Sequence, residues 1–290
     1  MSKSLKKLID INGLKEFKSK LNAQSILKRW PDGAEAHNAM WGWRNITAAF
    51  NNGTVSANIA NGTFKDIFLG DHITKQITVP RVLADDGAVL FAGGTYTVNW
   101  VVADCDYWIN KGNTAMTAHH VAIVPQAPIF NARMNPTNTT EGGYAGSEMY
   151  KKIIPACATG IVNAFGSSHI LTFSDGITNS VDTSHVSSGI PQYTGTPGWW
   201  GMWVSVQCNL MSEKMVYGAP ICSGGAMDNM MATRQMSIFR LSETLINYTR
   251  REWWLRDVCA SSLFALVHGS TAHVSGATGL FGVRPFALLR

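Results

Sequence analysis

Residues 253–285 read WWLRDVCASSLFALVHGSTAHVSGATGLFGVRP and combine two kinds of sequence. Trp253, Trp254, Leu255 and Arg256 stand at the start and Gly282, Val283, Arg284 and Pro285 at the end, all residues with strict steric or hydrogen-bonding needs. Between them most residues are Ser, Ala, Gly, Thr, Val and Cys, with a scattered His or Leu. Trp254, Leu255, Phe264, Leu266, Val283 and Phe286 supply apolar area for a core, and Arg256 and Arg284 can bond backbone carbonyls or carboxylates with several donors each. Phe264, Ala265, Leu266 and Val267 read as a buried strand through the middle, with an exposed loop on either side. Exposed positions in such a frame can change at little cost in stability.

Upstream, the pattern is strand-like from Phe64 onward. FKDIFLGDHITKQITVP (64–80) and AVLFAGGTYTVNWVVADCDYWI (88–109) alternate β-branched or aromatic residues with polar ones, and Gly70, Asp85-Asp86-Gly87 and Gly93-Gly94 supply turns. An antiparallel meander is predicted. HHVAIVPQAPIF (119–130) reads as a strand interrupted by Pro125 and Pro128, followed by a loop, MNPTNTTEGGYAGSEMY (134–150). A helix is predicted over Glu148–Phe165, with Met149, Ile153, Cys157, Ile161 and Phe165 near one face and Pro155 bending or delaying it. Ser174–Gly198 reads as exposed loop, residues 199–218 as tryptophan-rich core, and IFRLSETLIN (238–247) as a short packed element.

At the other end of the chain Leu14, Phe17 and Leu21 predict a helix with one apolar stripe and lysines opposite, too short to be stable alone in water. It must pack on its own domain or pair with copies of itself. The division read from the sequence is therefore an attachment or oligomerisation helix (1–29), a linker with a short helix near Ile46–Asn51 (30–63) and one large domain (64–290). A hydrophobic content of 46% suffices for a sizeable core. Lys plus Arg number 24 and Asp plus Glu 19, and much of the excess of +5 lies in the first 30 residues. The remainder is near neutral, which removes the charge footprint of a nucleic-acid binder. The basic start fits the solvated side of a helix, with a phosphate or membrane contact as the alternative. No apolar run has the length of a signal peptide or a membrane span. Five cysteines without CxxC spacing argue for synthesis in a reducing cytoplasm, not for a disulfide framework or zinc site.

Candidate chemistry is sparse. His119 and His120 with Asp104 and Asp106 suggest a metal site, but neighbours on a strand face opposite ways, so ordinary strand-end polar residues are the stronger reading. Cys208 and Cys222 have no fixed basic neighbour. Ser167-Ser168-His169 lacks a nucleophile elbow, and the glycines of EGGYAG and GGAMDN lack phosphate-loop or dinucleotide spacing. Trp199, Trp200, Trp203, Trp253 and Trp254 could form a sugar platform, though paired tryptophans in a Gly-rich domain are more often core. No catalytic residue, metal or cofactor is expected.

The frame WWLRD, the segment SSLFALVHG and the ending GVRPFALL resemble the closing part of C-type-lectin-fold domains, in the branch that includes formylglycine-generating enzymes and phage tropism proteins. DIFLGDHI (66–73), VADCDYWI (102–109), HHVAIVP, MNPTNTTEGGYAGSEM, LMSEKMVYG (210–218) and FRLSETLIN (239–247) look like a group of phage virion proteins, mainly tail-fibre or receptor-binding proteins, and LIDINGLKEFKSKL (8–21) resembles their attachment element. The resemblance implies an α+β class with the C-type-lectin fold: short antiparallel strands, two main helices and long ordered loops, preceded by an N-terminal helix. It implies a non-enzymatic virion protein, made in the bacterial cytoplasm and carried on the tail or capsid surface. Its partners would be a host cell-surface receptor, protein or glycan, and other virion proteins through the N-terminus, with a homotrimer giving avidity. Nucleic acid and membrane insertion are not expected. Diversity-generating retroelements rewrite adenines in this segment in some such proteins, which cannot produce Lys, Glu, Gln, Met or Trp from Asn codons, and none of these occurs between Val258 and Phe281. The ligand-binding set expected is Val258, Cys259, Ser261, Ser262, Leu263, His268, Ser270, Thr271, His273, Val274, Ser275, Thr278 and Leu280, on a scaffold of Trp253, Trp254, Leu255, Arg256, Gly282, Arg284 and Pro285. The calcium-binding triplets EPN and QPD are absent, and a second cysteine near Cys259, needed by the formylglycine-generating enzymes, is missing. A structural collar, head-fibre or decoration protein is the alternative, and an enzyme of that type the more remote one.

Overall fold

A computed structural model describes residues 44–177, 202–223, 234–241, 243–246 and 250–290, so Leu14, Phe17 and Leu21 lie outside the described residues. The class is α+β with strands predominating. In chain order the elements are α1 (Thr47–Asn51), α2 (Thr54–Ala60), β1 (His72–Val79), β2 (Val82–Leu83), β3 (Val89–Phe91), β4 (Gly94–Cys105), β5 (Val121–Pro125) and β6 (Phe130–Ala132). Then come α3 (Ile154–Phe165), β7 (Phe173–Ile177), β8 (Met202–Val206), β9 (Cys208–Leu210), α4 (Glu213–Tyr217), α5 (Ser237–Leu241), β10 (Trp253–Ala260), β11 (Leu263–His268), β12 (Thr271–Gly276), β13 (Phe281–Val283) and β14 (Pro285–Leu289).

Two five-stranded sheets form the body, in the orders β1-β4-β5-β14-β9 and β12-β11-β10-β13-β6, with β2-β3 and β7-β8 as separate hairpins. The predicted meander is present where β1 pairs antiparallel with β4, His72 opposite Val101 and Val79 opposite Gly94. β1 alternates, burying Ile73, Ile77 and Val79, because helix α3 covers one of its faces. Interior strands do not alternate: β5 and β14 are buried at every position, as expected of strands covered on both faces. Both sheets join through residues 283–285, where β13 leads into β14, so the end of the chain lies at the centre of the molecule.

The predicted Glu148–Phe165 helix is present with a π-helical turn, Met149–Ile153, before α3. Pro155 falls at the start of α3, directly after the π-helical turn, so its missing N–H lies where the backbone passes from the wider turn into the α-helix. Helix α3 lies close on β1, since a Cβ at Gly160 would stand 2.8 Å from the Thr78 carbonyl oxygen.

Three expectations change. The stretch assigned to a linker holds a second helix, α2, and its Ile46, Phe50, Val55 and Ile59 belong to the same core as the sheets. Gly53, in the left-handed region at φ 82°, reverses the chain between α1 and α2. The expected loop Ser174–Gly198 begins inside strand β7, where Asp175, Gly176 and Ile177 are buried; its residues 178–198 lie outside the described residues. The expected loop 134–150 contains a helical turn, Gly143–Gly146, and buries Met134, Asn135, Thr140, Tyr144, Ser147 and Met149. Its polar atoms serve the C-terminal sheet: Thr140 donates its N–H to Ser261 O and its hydroxyl to Ala260 O, and Asn138 Oδ1 accepts from Ala277 N.

Candidate functional site

The two ends of the quoted segment meet. Trp253 pairs with Gly282 in parallel register, and Gly282 N donates to Glu252 O at 3.0 Å. A side chain at position 282 would put a Cβ 2.5 Å from Pro128 Cβ, so the close approach needs glycine. Trp253 Nε1 donates to Ile246 O, Trp254 Nε1 donates to Ala132 O, and the Trp254 ring meets Phe281 edge-on at 4.9 Å. All seven scaffold residues are buried.

The two arginines are held differently. Arg256, 5% exposed, is ion-paired with Asp175, which is fully buried and also accepts from Asn209 Nδ2 at 2.8 Å. Asn209 Oδ1 accepts in turn from Tyr144 Oη. Arg284 donates to three backbone carbonyls, Pro125 O, Ile246 O and Gln126 O, and its guanidinium lies 4.8 Å from the centre of the Trp253 ring. Burial pushes the Arg284 guanidinium down to about 9, which still leaves it charged at neutral pH.

Between these ends the chain forms an antiparallel meander, β10-β11-β12, in place of two loops around one strand. Phe264, Ala265, Leu266 and Val267 are buried in β11, as predicted. Of the expected contact residues, Ser261, His268, Ser270, Thr271, His273, Thr278 and Leu280 are exposed, and Ser262, Leu263, Val274 and Ser275 are half-buried. Val258 and Cys259 are not contact residues: they are 0% and 2% exposed. Strand β10 runs between β11 and β13 and is covered on both faces, and register irregularities on either side of Val258 break the simple alternation.

The exposed set divides by position. Ser261, Ser262 and Leu263 lie where Leu263 pairs with Gly276, and Thr278 follows Ala277, whose N–H donates to Ser262 O, whereas His268, Ser270 and Thr271 gather at the β11-β12 turn, where His268 pairs with Thr271. Five strand steps separate these ends, about 17 Å. At the turn, His268 Nδ1 bonds Glu252 and its ring lies 5.5 Å from that of His273. A cavity of about 320 Å³ adjoins this end, lined by Tyr217, Gln235, Arg240, Glu243 and Ser270. The hydroxyl of Tyr217 is buried with no partner among the described residues, and burial raises its pKa. Sequence reading found only Ser270 of this group, because the others come from three other segments and carry no shared spacing.

The remaining candidates are structural. His119 Nδ1 bonds Asp106 Oδ2 at 2.9 Å; His120, fully buried, accepts from Trp108 N–H at Nε2 and bonds Ala118 O through Nδ1. Asp104 is ion-paired with Arg234 and accepts from Ser237 N. No group of three or more potential metal-ligating His, Cys, Asp or Glu side chains occurs among the described residues. All five cysteines are free thiols. Burial pushes Cys157 up to about 12 and raises Cys208 and Cys259, and burial beside Glu213 pushes Cys222 up to about 11, all away from the reactive thiolate. His169 bonds Ser56 Oγ and Arg290 O. Trp253 and Trp254 are core; Trp203 is half-buried; Trp199 and Trp200 lie outside the described residues.

Among the described residues no helix is long and apolar enough to cross a membrane. No protein-family model matches the chain, and searches of curated proteins and of solved structures likewise return no match.

Proposed function

We propose that this protein is a phage virion protein of the C-type-lectin fold that attaches to a host-cell receptor through the exposed residues between Ser261 and Leu280. The observation that carries this reading is the separation of roles within one segment. Every scaffold residue is buried, whereas eleven of the thirteen expected contact residues are exposed or half-buried. Side chains can therefore be exchanged at the surface while the fold energy stays in Trp253, Trp254, Arg256, Gly282 and Arg284. That separation suits a segment diversified by a retroelement. It also suits recognition by many small side chains, whose weak contacts gain from a trimeric, multivalent particle. The cavity beside Ser270 enlarges the surface at the turn end, and the two ends about 17 Å apart can contact separate features of one receptor.

The test is cell labelling. Fluorescent full-length protein is applied to a panel of bacterial strains beside a variant with Ser261, Thr271, His273 and Thr278 all changed to Ala. The wild type is expected to label a subset of strains and the variant none, with a melting temperature within about 4 °C of wild type, since exposed substitutions change stability little. Equal labelling by both proteins refutes the assigned surface. Failure to label a strain to which virions bearing the protein adsorb leaves the structural-component reading in its place.

A further inference from the structure

We propose that the outer face of the β7-β8 hairpin, together with residues 113–118, binds a neutral saccharide. In β7 the residues Phe173, Asp175 and Ile177 are 2%, 0% and 1% exposed and belong to the inner face. The two-residue period of a strand places Thr172, Ser174 and Gly176 on the other face. Trp203 pairs with Gly176 and Ser205 with Ser174, and directly paired residues share a face. One surface therefore carries an indole and three hydroxyls, from Thr172, Ser174 and Ser205. Gly176, itself buried, stands opposite the half-buried Trp203, so among the described residues of β7 no side chain lies across the indole on that face.

Residues 113–118 form the facing wall. Gly112, at φ 93°, brings this segment so near β7 that a Cβ there would stand 2.8 Å from Ser174 Cβ, and Ser174 Oγ bonds Asn113 Oδ1. The space between is a cavity of about 520 Å³, to which the wall contributes Asn113, Thr114 and Thr117. Small-molecule sites occupy about 300–1,000 Å³. None of the residues that line the cavity among the described residues carries a charge.

This chemistry selects its ligand. A sugar ring presents a C–H face that packs on an indole and hydroxyls that both donate and accept, as the Thr and Ser hydroxyls and the Asn amide also do. A charged ligand would find no counter-charge among the described residues that line the cavity, and an aliphatic one would leave hydroxyls such as those of Thr172 and Ser205 unpaired. The site shares no residue with the 253–285 segment, so it is additional to the receptor surface proposed above and stands or falls apart from it.

The experiment titrates the full-length protein with the methyl glycosides of glucose, galactose, mannose and N-acetylglucosamine, and with methyl glucuronide as the charged control, followed by tryptophan fluorescence and saturation-transfer NMR. At least one neutral glycoside is expected to bind, and the glucuronide to bind about tenfold more weakly or worse. Trp203→Ala should weaken binding at least about tenfold. Ser205→Tyr, a substitution at an exposed position that fills the cavity, should do the same with an unchanged circular dichroism spectrum, so the test does not depend on Trp203→Ala folding. His268→Ala and Thr278→Ala should leave glycoside binding unaltered, which separates this site from the receptor surface. The proposal is overturned if no neutral glycoside binds at about 20 mM, a concentration that saturates millimolar sites. Binding that survives Ser205→Tyr, or that His268→Ala and Thr278→Ala abolish, overturns it equally.

Discussion

Changing Asp175 to Asn removes the counter-charge that Asp175 provides to a guanidinium only 5% exposed. The substitution preserves shape, and Asp175 Oδ1 has no partner to lose among the described residues, so the loss concentrates on the Oδ2 contacts with Arg256 and Asn209. Breaking a buried pair at one member costs about 3–5 kcal/mol, because the remaining charge loses its counter-charge in a site largely closed to water. A domain of this size loses about 2–4 °C per kcal/mol, so the melting temperature should fall by roughly 6–20 °C. Arg256→Met alone should cost a similar amount. The double variant removes both charges and should be more stable than the sum of the single losses predicts, by about 2–3 kcal/mol. Urea unfolding monitored by tryptophan fluorescence and circular dichroism gives all three values. Losses that add to within about 0.5 kcal/mol would falsify the assignment of a buried, coupled pair at the base of the frame.

Gly282→Ala should destabilise the protein by about 1–3 kcal/mol, because the added methyl meets Pro128 Cβ and Glu252 O where β13 joins β10; unfolding at the wild-type denaturant midpoint would show that the backbone has room there. His120 provides a pH dependence. It is buried and accepts a hydrogen bond from Trp108 N–H, which requires the neutral ring, and burial lowers its pKa below the ordinary 6.5. As pH falls below 6.5 the unfolded chain takes up a proton that the folded protein does not, so this group's contribution to stability declines, by at most about 1.4 kcal/mol per unit, until the folded-state pKa is reached. The stability difference between wild type and His120→Asn should therefore shrink between pH 7.5 and 5, and parallel stability curves would rule the mechanism out.

Periodicity and residue size are local properties, and they carry the strands β1 and β4, the helix that Pro155 delays, the class of the fold and the contrast between the large ends and small middle of residues 253–285. Burial on a second face is not local. Val258 and Cys259 look like any small residues of an exposed stretch, and they are interior because β10 is a central strand. Residues 30–63 read as a linker with one short helix near Ile46–Asn51, which is present, yet Ile46, Phe50, Val55 and Ile59 join the core because the body offers them a partner. Asp175 sits in a Ser/Thr/Gly run that suggested a loop, and its role follows from Arg256, 81 positions away. The Trp203 cavity depends on which residue stands across the hairpin from the indole, which strand register sets and no linear spacing records. A chain's own pattern states what each segment can bury, but its neighbours in space determine how many of its faces remain open to a ligand.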